Sequence, residues 1–296
     1  MIISTGGGTS PDRIGRIIAD RLSKDLGQPF VPENITGAGG IIAPRMVAKA
    51  PADGYTLLFA PSAGMVLNPL LGTKLPYDPQ KDLTPISLVA NQPFVLAVSA
   101  AVPANSIREL IALAKAKPNS ITYGSGGTGS ASHLGVELFQ YKAGITLMHI
   151  PYKGTGPGMS ALMSGELQLL MAGLATVLPQ AKSGKIKVLA QNSDGRSRHM
   201  PDVPSYKEAG LDISIRNWLG FFGPAGLPRE MVQRLNADVN RNLLQNAALR
   251  EKFLTANGLE VEGPAGGSAD SFLAFLKADR EYYASIIKAA GIQPVD

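Results

Sequence analysis

A glycine-rich loop between a short β-branched run and a helix-period pattern carries the clearest chemistry in this sequence. The segment reads ITYGSGGTGSASHLGVELF over residues 121–139. Glycine lets the backbone come close to a ligand, and Ser130 or Ser132 can cap the following helix, whose first N–H groups then face the loop. The pattern predicts a strand, an anion-binding loop and a helix that together hold a carboxylate or phosphate without a cationic side chain.

The same loop leaves two alternatives open. Gly124, Gly126 and Gly129 match G-x-G-x-x-G, which indicates a nucleotide-dependent α/β enzyme. The acidic residue that such a site places on the ribose about 20 residues later is absent, because residues 144–152 contain His149 but no Asp or Glu. A tight turn that packs strand against helix without any ligand is the other alternative.

Other reactive side chains give weaker signals. His133, His149 and His199 lack the spacings of metal ligands, so we predict no metal site. His133 lies in the first turns of the helix after the loop, where it either donates to a bound anion or orients the loop. Asp12 follows an earlier glycine loop and is either an ordinary first-turn carboxylate or a ligand contact. Trp218 either walls a binding site or fills the core, and core is the commoner position.

Composition bounds the class of protein. The chain has 296 residues, 45% of them hydrophobic and 17% charged, which is typical of a globular protein large enough for two domains. Its net charge of +5 is spread along the sequence, so it does not indicate nucleic-acid binding. No apolar run reaches the about 18 residues that span a bilayer. The absence of cysteine excludes disulfides and thiolate catalysis.

The elements that position these loops occur twice. A strand over residues 2–5, a glycine loop, a helix over 11–26, a strand near 29–32, a second glycine loop and a strand over 55–60 are predicted in the first half. The second half repeats this order, so that GAGG from Gly37 corresponds to GTGP from Gly154, and DGYTLLFA from Asp53 to GELQLLMA from Gly165. We interpret this as an internal duplication of an α/β lobe.

Two lobes with glycine loops at the carboxyl ends of their strands would form one ligand cleft, because open α/β sheets bind ligands at those ends. A strand over residues 94–101 leaves the first lobe, and residues 186–192 begin a path back through 218–223; we expect the hinge at these crossings. Residues 229–245, 247–257 and 269–290 are mostly amphipathic helix and complete the first lobe. The predicted lobes are therefore 1–100 with 220–296, and 101–219.

Several motifs of this sequence resemble those of a known family, the extracytoplasmic substrate-binding proteins of tripartite tricarboxylate transporters, or Bug family. The resemblance covers essentially the whole chain. It rests on LGQPFVPENITGAGG (26–40), VAKAPADGYTLLFA (47–60), LPYDPQKDLTPISLV (75–89), YGSGGTGSASHLG (123–135), HIPYKGTGP (149–157) and DVPSYKEAGL (202–211).

The resemblance implies a type II periplasmic-binding-protein-like α/β fold with two lobes, a central cleft and a hinge. It implies a solute-binding protein without catalysis, cofactor or metal, which delivers a small organic carboxylate to the membrane permease subunits of the transporter. We also expect a monomer that acts in the periplasm, with its leader absent from this chain, and no nucleic-acid partner.

Ligand contacts are carried over by position to loops of both lobes. In the first lobe they are Thr5, Gly6, Gly7, Gly8, Thr9, Ser62 and Ala63. In the second lobe they are Ser125, Gly126, Gly127, Thr128, Gly129, Ser130, Tyr152, Lys153 and Gly154. Our reading of the residues adds His133, beside the central loop, and Gly173, at the end of a buried strand.

These loops supply N–H groups and hydroxyls, which suit an oxygen anion. Asp12 is the only acidic residue placed to pair with a cation. The strand over 166–172 is followed by Gly173 and Leu174, so no acidic residue lies at its end. A buried ammonium without a carboxylate costs several kcal/mol. We therefore predict a carboxylate without an α-amino group, either a dicarboxylate or an aromatic acid.

Overall fold

The computed structural model describes residues 1–71, 74–192 and 196–290. They form two compact units, which we call unit 1 (Met1–Asn91 with Asn217–Ala289) and unit 2 (Gln92–Arg216). The first crossing therefore lies near residue 91 instead of the expected residue 100. The reason is that the strand after it pairs with strands of unit 2 over its whole length.

The elements are as follows in chain order. The strands are β1 (Ile2–Ile3), β2 (Glu33–Asn34), β3 (Leu58–Pro61), β4 (Leu83–Asn91), β5 (Phe94–Ser99), β6 (Thr122–Ser125), β7 (Met148–Pro151), β8 (Leu169–Gly173), β9 (Ile186–Asn192) and β10 (Trp218–Pro224). The α-helices are α1 (Ser10–Leu26), α2 (Ile42–Ala48), α3 (Asn68–Leu70), α4 (Ile107–Ala116), α5 (Ala131–Ala143), α6 (Thr155–Ser164), α7 (Leu174–Ala181), α8 (Arg229–Val239), α9 (Ala247–Phe253) and α10 (Ala269–Ala290). Short 3-10 or π turns cover Ala38–Gly40, Ala63–Leu67, Asn240–Leu244 and Thr255–Asn257.

The two sheets share one topology. Their strand orders are β2-β1-β3-β10-β4 in unit 1 and β7-β6-β8-β5-β9 in unit 2. In each sheet the first three strands are parallel, and the fourth, β10 or β5, runs antiparallel to both of its neighbours. Helices α1 and α5 occupy equivalent places between the first two parallel strands of each unit in the chain. The predicted α/β class and internal duplication are both confirmed.

Backbone conformation shows the duplication at the level of single residues. Gly37, before the turn that leads into α2, has φ 133° and ψ 163°. Gly154, before α6, has φ 112° and ψ 163°. Both values fall in a region that is essentially restricted to glycine. The alignment of GAGG with GTGP therefore matches two turns of the same construction.

Strand β2 lies after the predicted position. The sequence analysis placed a strand near residues 29–32, whereas the ladder with β1 begins at Glu33, whose N–H donates to the carbonyl of Met1 (2.9 Å). Pro29 and Pro32 lack N–H groups, so this stretch is poorly suited to a ladder. No strand was predicted for β4, which contains Pro85 and pairs with β10 through two register shifts. It is an edge strand of its sheet, where proline is tolerated.

Trp218 fills the core of unit 1, as its residue type favoured. Its side chain is fully buried, and Nε1 donates to Oδ2 of Asp279 on α10 at 2.8 Å. Phe272 lies edge-on to the indole, with ring centroids 5.7 Å apart. The ring and the polar contact together fix α10 against β10.

Among the described residues, no helix is long and apolar enough to span a bilayer.

Candidate functional site

In unit 1 the loop after β1 is built around the start of α1. The Thr9 hydroxyl is the helix cap: it accepts from the N–H of Asp12 (3.4 Å) and donates to the carbonyl of Gly6 (2.7 Å). Gly8 has φ 77°, a left-handed conformation that glycine adopts without strain. Within the described residues, the N–H groups of Gly6, Gly7 and Ser10 have no hydrogen-bond acceptor. The predicted loop therefore offers three backbone donors.

Asp12 braces this loop through hydrogen bonds from three donors. Its carboxylate accepts from the N–H of Gly8 (2.8 Å), Nε of Arg16 (2.9 Å) and Nδ2 of Asn34 (2.8 Å). Burial acts to raise the pKa of Asp12, but the hydrogen bonds from Asn34 and Gly8 and the charge of Arg16 together lower that pKa below its ordinary value. The carboxylate of Asp12 therefore bonds to groups of the protein itself. This agrees with the interpretation of Asp12 as an ordinary first-turn carboxylate.

We expect Asp12→Asn to lower the free energy of unfolding by about 1–3 kcal/mol, because all three partners are donors and the new amide group must oppose at least one of them. The folded state holds the pKa of Asp12 below the unfolded value of about 3.9. The stabilisation is therefore present above that pH and is lost as the pH falls through the folded pKa. Urea denaturation at pH 7 and at about pH 3 should show the difference between parent and variant shrinking in acid.

Asp20→Asn is the matched control on the same helix. Asp20 is exposed, and among the described residues it pairs with the exposed Lys24, four residues on. We expect a change of no more than about 0.5 kcal/mol. Equal effects of the two substitutions would contradict the bracing role of Asp12.

The end of β3 adjoins this loop, because β1 and β3 are parallel neighbours. Ser62 is fully buried, and its hydroxyl donates to Oδ1 of Asn217 (3.1 Å). Ala63 is also buried. A side chain on Gly64 would stand 2.6 Å from the carbonyl oxygen of Gly40, so the second glycine loop packs directly on this turn. Ser62 thus has a structural partner as well as its predicted place at a strand end.

In unit 2 the central loop joins β6 to α5, as predicted. Ser130 caps the helix, its hydroxyl accepting from the N–H of His133 (3.3 Å). Other loop donors are also used inside the unit: the N–H of Gly126 donates to Oγ of Ser132 (2.8 Å) and that of Gly129 to Nδ1 of His133 (3.3 Å). Nδ1 of His133 therefore contacts the backbone of the loop.

Ser125, a predicted ligand contact, is buried and has hydrogen-bond partners inside unit 2. Its side chain is fully buried, and Oγ lies 2.7 Å from Nε2 of His149 and accepts from the N–H of Gly127 (3.1 Å). Because strand β6 is buried on both faces, its last hydroxyl bonds within the unit. The Ser125 hydroxyl thus links the loop to strand β7 through His149.

Three N–H groups remain for a ligand at this loop. Those of Thr128, Ala131 and Ser132 have no acceptor within the described part of the chain. Thr128 is exposed, and the other two lie in the first turn of α5, where the helix dipole favours an anion. These donors can hold a carboxylate oxygen by charge-assisted hydrogen bonds.

A second helix begins beside the same loop. Gly154 precedes α6, which has no side-chain cap, and the N–H groups of Thr155 and Gly156 find no acceptor among the described residues. A side chain built on Gly126 would lie 3.7 Å from the Cα of Gly154, so the two turns are in contact. Two helix N-termini with unused donors therefore meet at one edge of the sheet.

The remaining predicted residues lie at the same edge. The N–H of Tyr152 donates to the carbonyl of Ser125 (3.1 Å), and its ring packs over Gly124 and the core of the unit. Lys153 is exposed. Gly173 ends β8 and is buried, and a side chain there would stand 2.6 Å from Nε2 of Gln92. Gly173 is thus required for close packing.

Sequence reasoning missed the partners that hold the loops. Asn34 donates both to Asp12 and to the carbonyl of Thr5 (2.9 Å). His149 was classed with a scattered trio of histidines, although it lies opposite Tyr123 in the register of β6 and β7. An alignment of the two parallel strands would have indicated that neighbour.

The dipoles of backbone N–H groups, and not charged imidazoles, make this loop attractive to an anion. Burial, and then the neighbouring His133, lower the pKa of His149 to about 4. Burial also lowers the pKa of His133, although Glu137 opposes the shift. Both imidazoles are therefore neutral at pH 7, and the site attracts an anion through oriented N–H groups.

Twin sheets of this topology, with donor-rich glycine loops at the ends of their parallel strands, define the class of two-lobed solute-binding proteins. The chain matches the tripartite tricarboxylate transporter family receptor over residues 14–292, and it belongs to that family. This is a family of receptors, which confirms the prediction of a binding protein over that of a nucleotide-dependent enzyme.

Three solved structures are closely similar. R. palustris Rpa4515 with adipate has a TM-score of 0.91 and 32% identity, covering 99% of this chain and 97% of that one. The periplasmic binding protein BugD has a TM-score of 0.91 and 30% identity, with coverage of 99% and 97%. MatC (Rpa3494) from Rhodopseudomonas palustris with bound malate has a TM-score of 0.90 and 29% identity, covering 97% of each chain. The predicted resemblance and fold are confirmed.

Proposed function

We propose that this protein is a periplasmic receptor that captures a small dicarboxylate without an α-amino group and delivers it to the permease of a tripartite tricarboxylate transporter. The observation that carries the proposal is the pair of helix N-termini in unit 2. Five N–H groups without acceptors among the described residues, those of Thr128, Ala131, Ser132, Thr155 and Gly156, lie at two adjoining turns. They match the oxygens of a carboxylate.

The corresponding loop of unit 1 supports the same chemistry. It offers the N–H groups of Gly6, Gly7 and Ser10. A dicarboxylate presents two anionic ends, and the similar structures hold adipate and malate. Both of those ligands are dicarboxylates, which favours a ligand with two carboxylates over an aromatic monoacid.

Discrimination against amino acids follows from Asp12. It was the acidic residue best placed to meet an ammonium group, and the structure commits its carboxylate to three donors of the protein. Asp12 is also buried, so its carboxylate has little capacity left for a ligand ammonium, and a buried ammonium without a partner costs several kcal/mol.

Calorimetric titration with matched pairs of ligands tests the proposal. Adipate is compared with 2-aminoadipate, malate with aspartate, and NAD with both. We expect binding of at least one dicarboxylate and a preference of at least about tenfold over its amino analogue, equivalent to about 1.4 kcal/mol. Submillimolar binding of NAD without any response to carboxylates would overturn the proposal, as would a preference for the amino acid.

The partner and the assembly state belong to the same proposal. A receptor of this family hands its ligand to membrane permease subunits, and we propose that it does so as a monomer. Native mass spectrometry of protein purified without refolding would weigh both the protomer and any ligand that remains bound. A stable dimer would contradict the monomeric state without affecting the ligand assignment.

A further inference from the structure

Three stacked aromatic rings form a cluster behind the central loop of unit 2, with every pair of ring centroids within 6.4 Å. Tyr123 of β6 stacks on His149 of β7 with centroids 4.7 Å apart, and His149 stacks on His133 of α5 at 4.3 Å. The Tyr123 side chain is fully buried, and both histidines are partly buried. The cluster therefore connects two strands and a helix at the point where the loop begins.

Each imidazole holds one glycine of the loop. Nδ1 of His133 accepts directly from the N–H of Gly129. His149 acts through Ser125, whose Oγ accepts from the N–H of Gly127. Both glycines have left-handed backbones, with φ 78° and 114° respectively. The two imidazoles thus fix the backbone at Gly127 and Gly129, and the N–H of Thr128 lies between these two glycines.

We propose that His133 is a positioning residue of this loop, and that its protonation releases the N–H of Gly129 and weakens carboxylate binding, so that the affinity of the receptor depends on pH. This inference rests on the proposed function, because it concerns the regulation of the same site. A neutral imidazole has one nitrogen that accepts, whereas an imidazolium donates from both. The Gly129 contact exists only in the form that leaves Nδ1 unprotonated.

The groups around the ring decide whether charge or geometry dominates. Oε1 of Glu137 lies 3.9 Å from Nε2 of His133 and accepts from the Tyr123 hydroxyl (2.5 Å) and from Nε2 of Gln140 (2.8 Å). His149 stacks on the face of the ring. A proton on His133 would be largely neutralised by Glu137, so the added charge attracts a ligand little. The loss of the Gly129 contact is then the larger effect.

The proton equilibria support this arrangement. Burial holds the pKa values of both histidines below the ordinary value of 6.5. The sensitive range therefore lies below about pH 6.5, and the neutral form that holds the loop predominates at pH 7. Because each imidazolium would repel the other across the stack, the two rings resist simultaneous protonation.

Nitrogen-15 NMR of the empty protein tests the positioning role without any ligand. We expect the Gly129 amide signal to titrate with the Nδ1 signal of His133 between about pH 7.5 and 4.5. In His133→Asn, whose side-chain oxygen can take the place of Nδ1, the Gly129 signal should not follow this transition. A Gly129 signal in the parent protein that ignores His133 would overturn the positioning role, whether or not the variant folds.

Adipate titration tests the consequence for binding. At pH 7.5 we expect His133→Ala to bind about 2- to 10-fold more weakly than the parent, since one hydrogen bond is lost, and His133→Asn to bind nearly as well. On moving to pH 4.5 the parent should lose about 2- to 10-fold more affinity than His133→Asn. Protonation of adipate itself is common to both proteins and cancels.

His199→Asn is the matched histidine control, since His199 lies outside the cluster. It should reproduce the parent profile. Equal pH profiles for the parent and His133→Asn, or tighter binding by the parent in acid, would overturn the inference. Failure of the parent to bind any dicarboxylate would overturn the proposed function instead, while the Gly129 signal would still decide the positioning role.

Discussion

We expect Gly154→Ala to bind the proposed dicarboxylate ligand, with adipate as the probe, about 5- to 150-fold more weakly than the parent protein in a calorimetric titration. The conformation of Gly154, φ 112° and ψ 163°, is strained for any other residue by about 1–3 kcal/mol. The empty variant can relieve that strain by moving the turn, and the ligand must then restore it. The loss of binding free energy is therefore bounded by the strain.

The control for this variant lies at the other end of the same helix. Gly165 ends α6 in a left-handed conformation, with φ 82° and ψ 1°, and no atom stands closer than 3.8 Å to a side chain built there. Gly165→Ala should lower stability by about 1 kcal/mol and leave the adipate affinity unchanged. Equal losses of affinity in both variants would show that α6 as a whole, and not its first turn, governs binding.

Trp218→Ala has the largest expected effect on stability, a loss of about 3–5 kcal/mol in the free energy of unfolding. The substitution empties a fully buried site and removes the indole donor from Asp279. Urea denaturation should be followed by circular dichroism, because Trp218 is the single tryptophan of the chain.

Tyr55→Ala is the matched aromatic control in unit 1. The Tyr55 side chain is 87% exposed, so its removal should change stability by no more than about 0.5 kcal/mol. A loss below about 1 kcal/mol for Trp218→Ala would contradict a close-packed core at the start of β10.

Features that depend on local pattern were predictable. Glycine runs after β-branched segments located the loops after β1 and β6. The serine-rich start of α5 predicted a cap at Ser130 or Ser132, and the structure has Ser130 as the cap. The repeated order of elements predicted two α/β lobes, because it needs only the succession of periodicities along the chain. Strand β2 was misplaced where Pro29 and Pro32 interrupt a run that otherwise looks extended.

Contacts set by tertiary register were not predictable from pattern alone. The sequence shows that Ser125 is a hydroxyl in an anion loop, but its contact with His149 depends on how β6 pairs with β7. Asn34 lies on a two-residue edge strand and has no periodicity to reveal it. The ligand-binding roles assigned to individual residues of both loops remain predictions that the titrations above will test.

The outer side of β4 has a consequence for how this protein behaves at high concentration. An edge strand normally offers a row of carbonyls to which another chain can add, the first step of aggregation. Here the carbonyl of Ile86 accepts from Nδ2 of Asn236 (2.9 Å), and that of Leu88 from the N–H of Gly266 (3.2 Å). Further along, Asn91 exchanges two hydrogen bonds with Glu260. Groups from outside the sheet thus close this edge, so copies of the protein do not join strand to strand through β4.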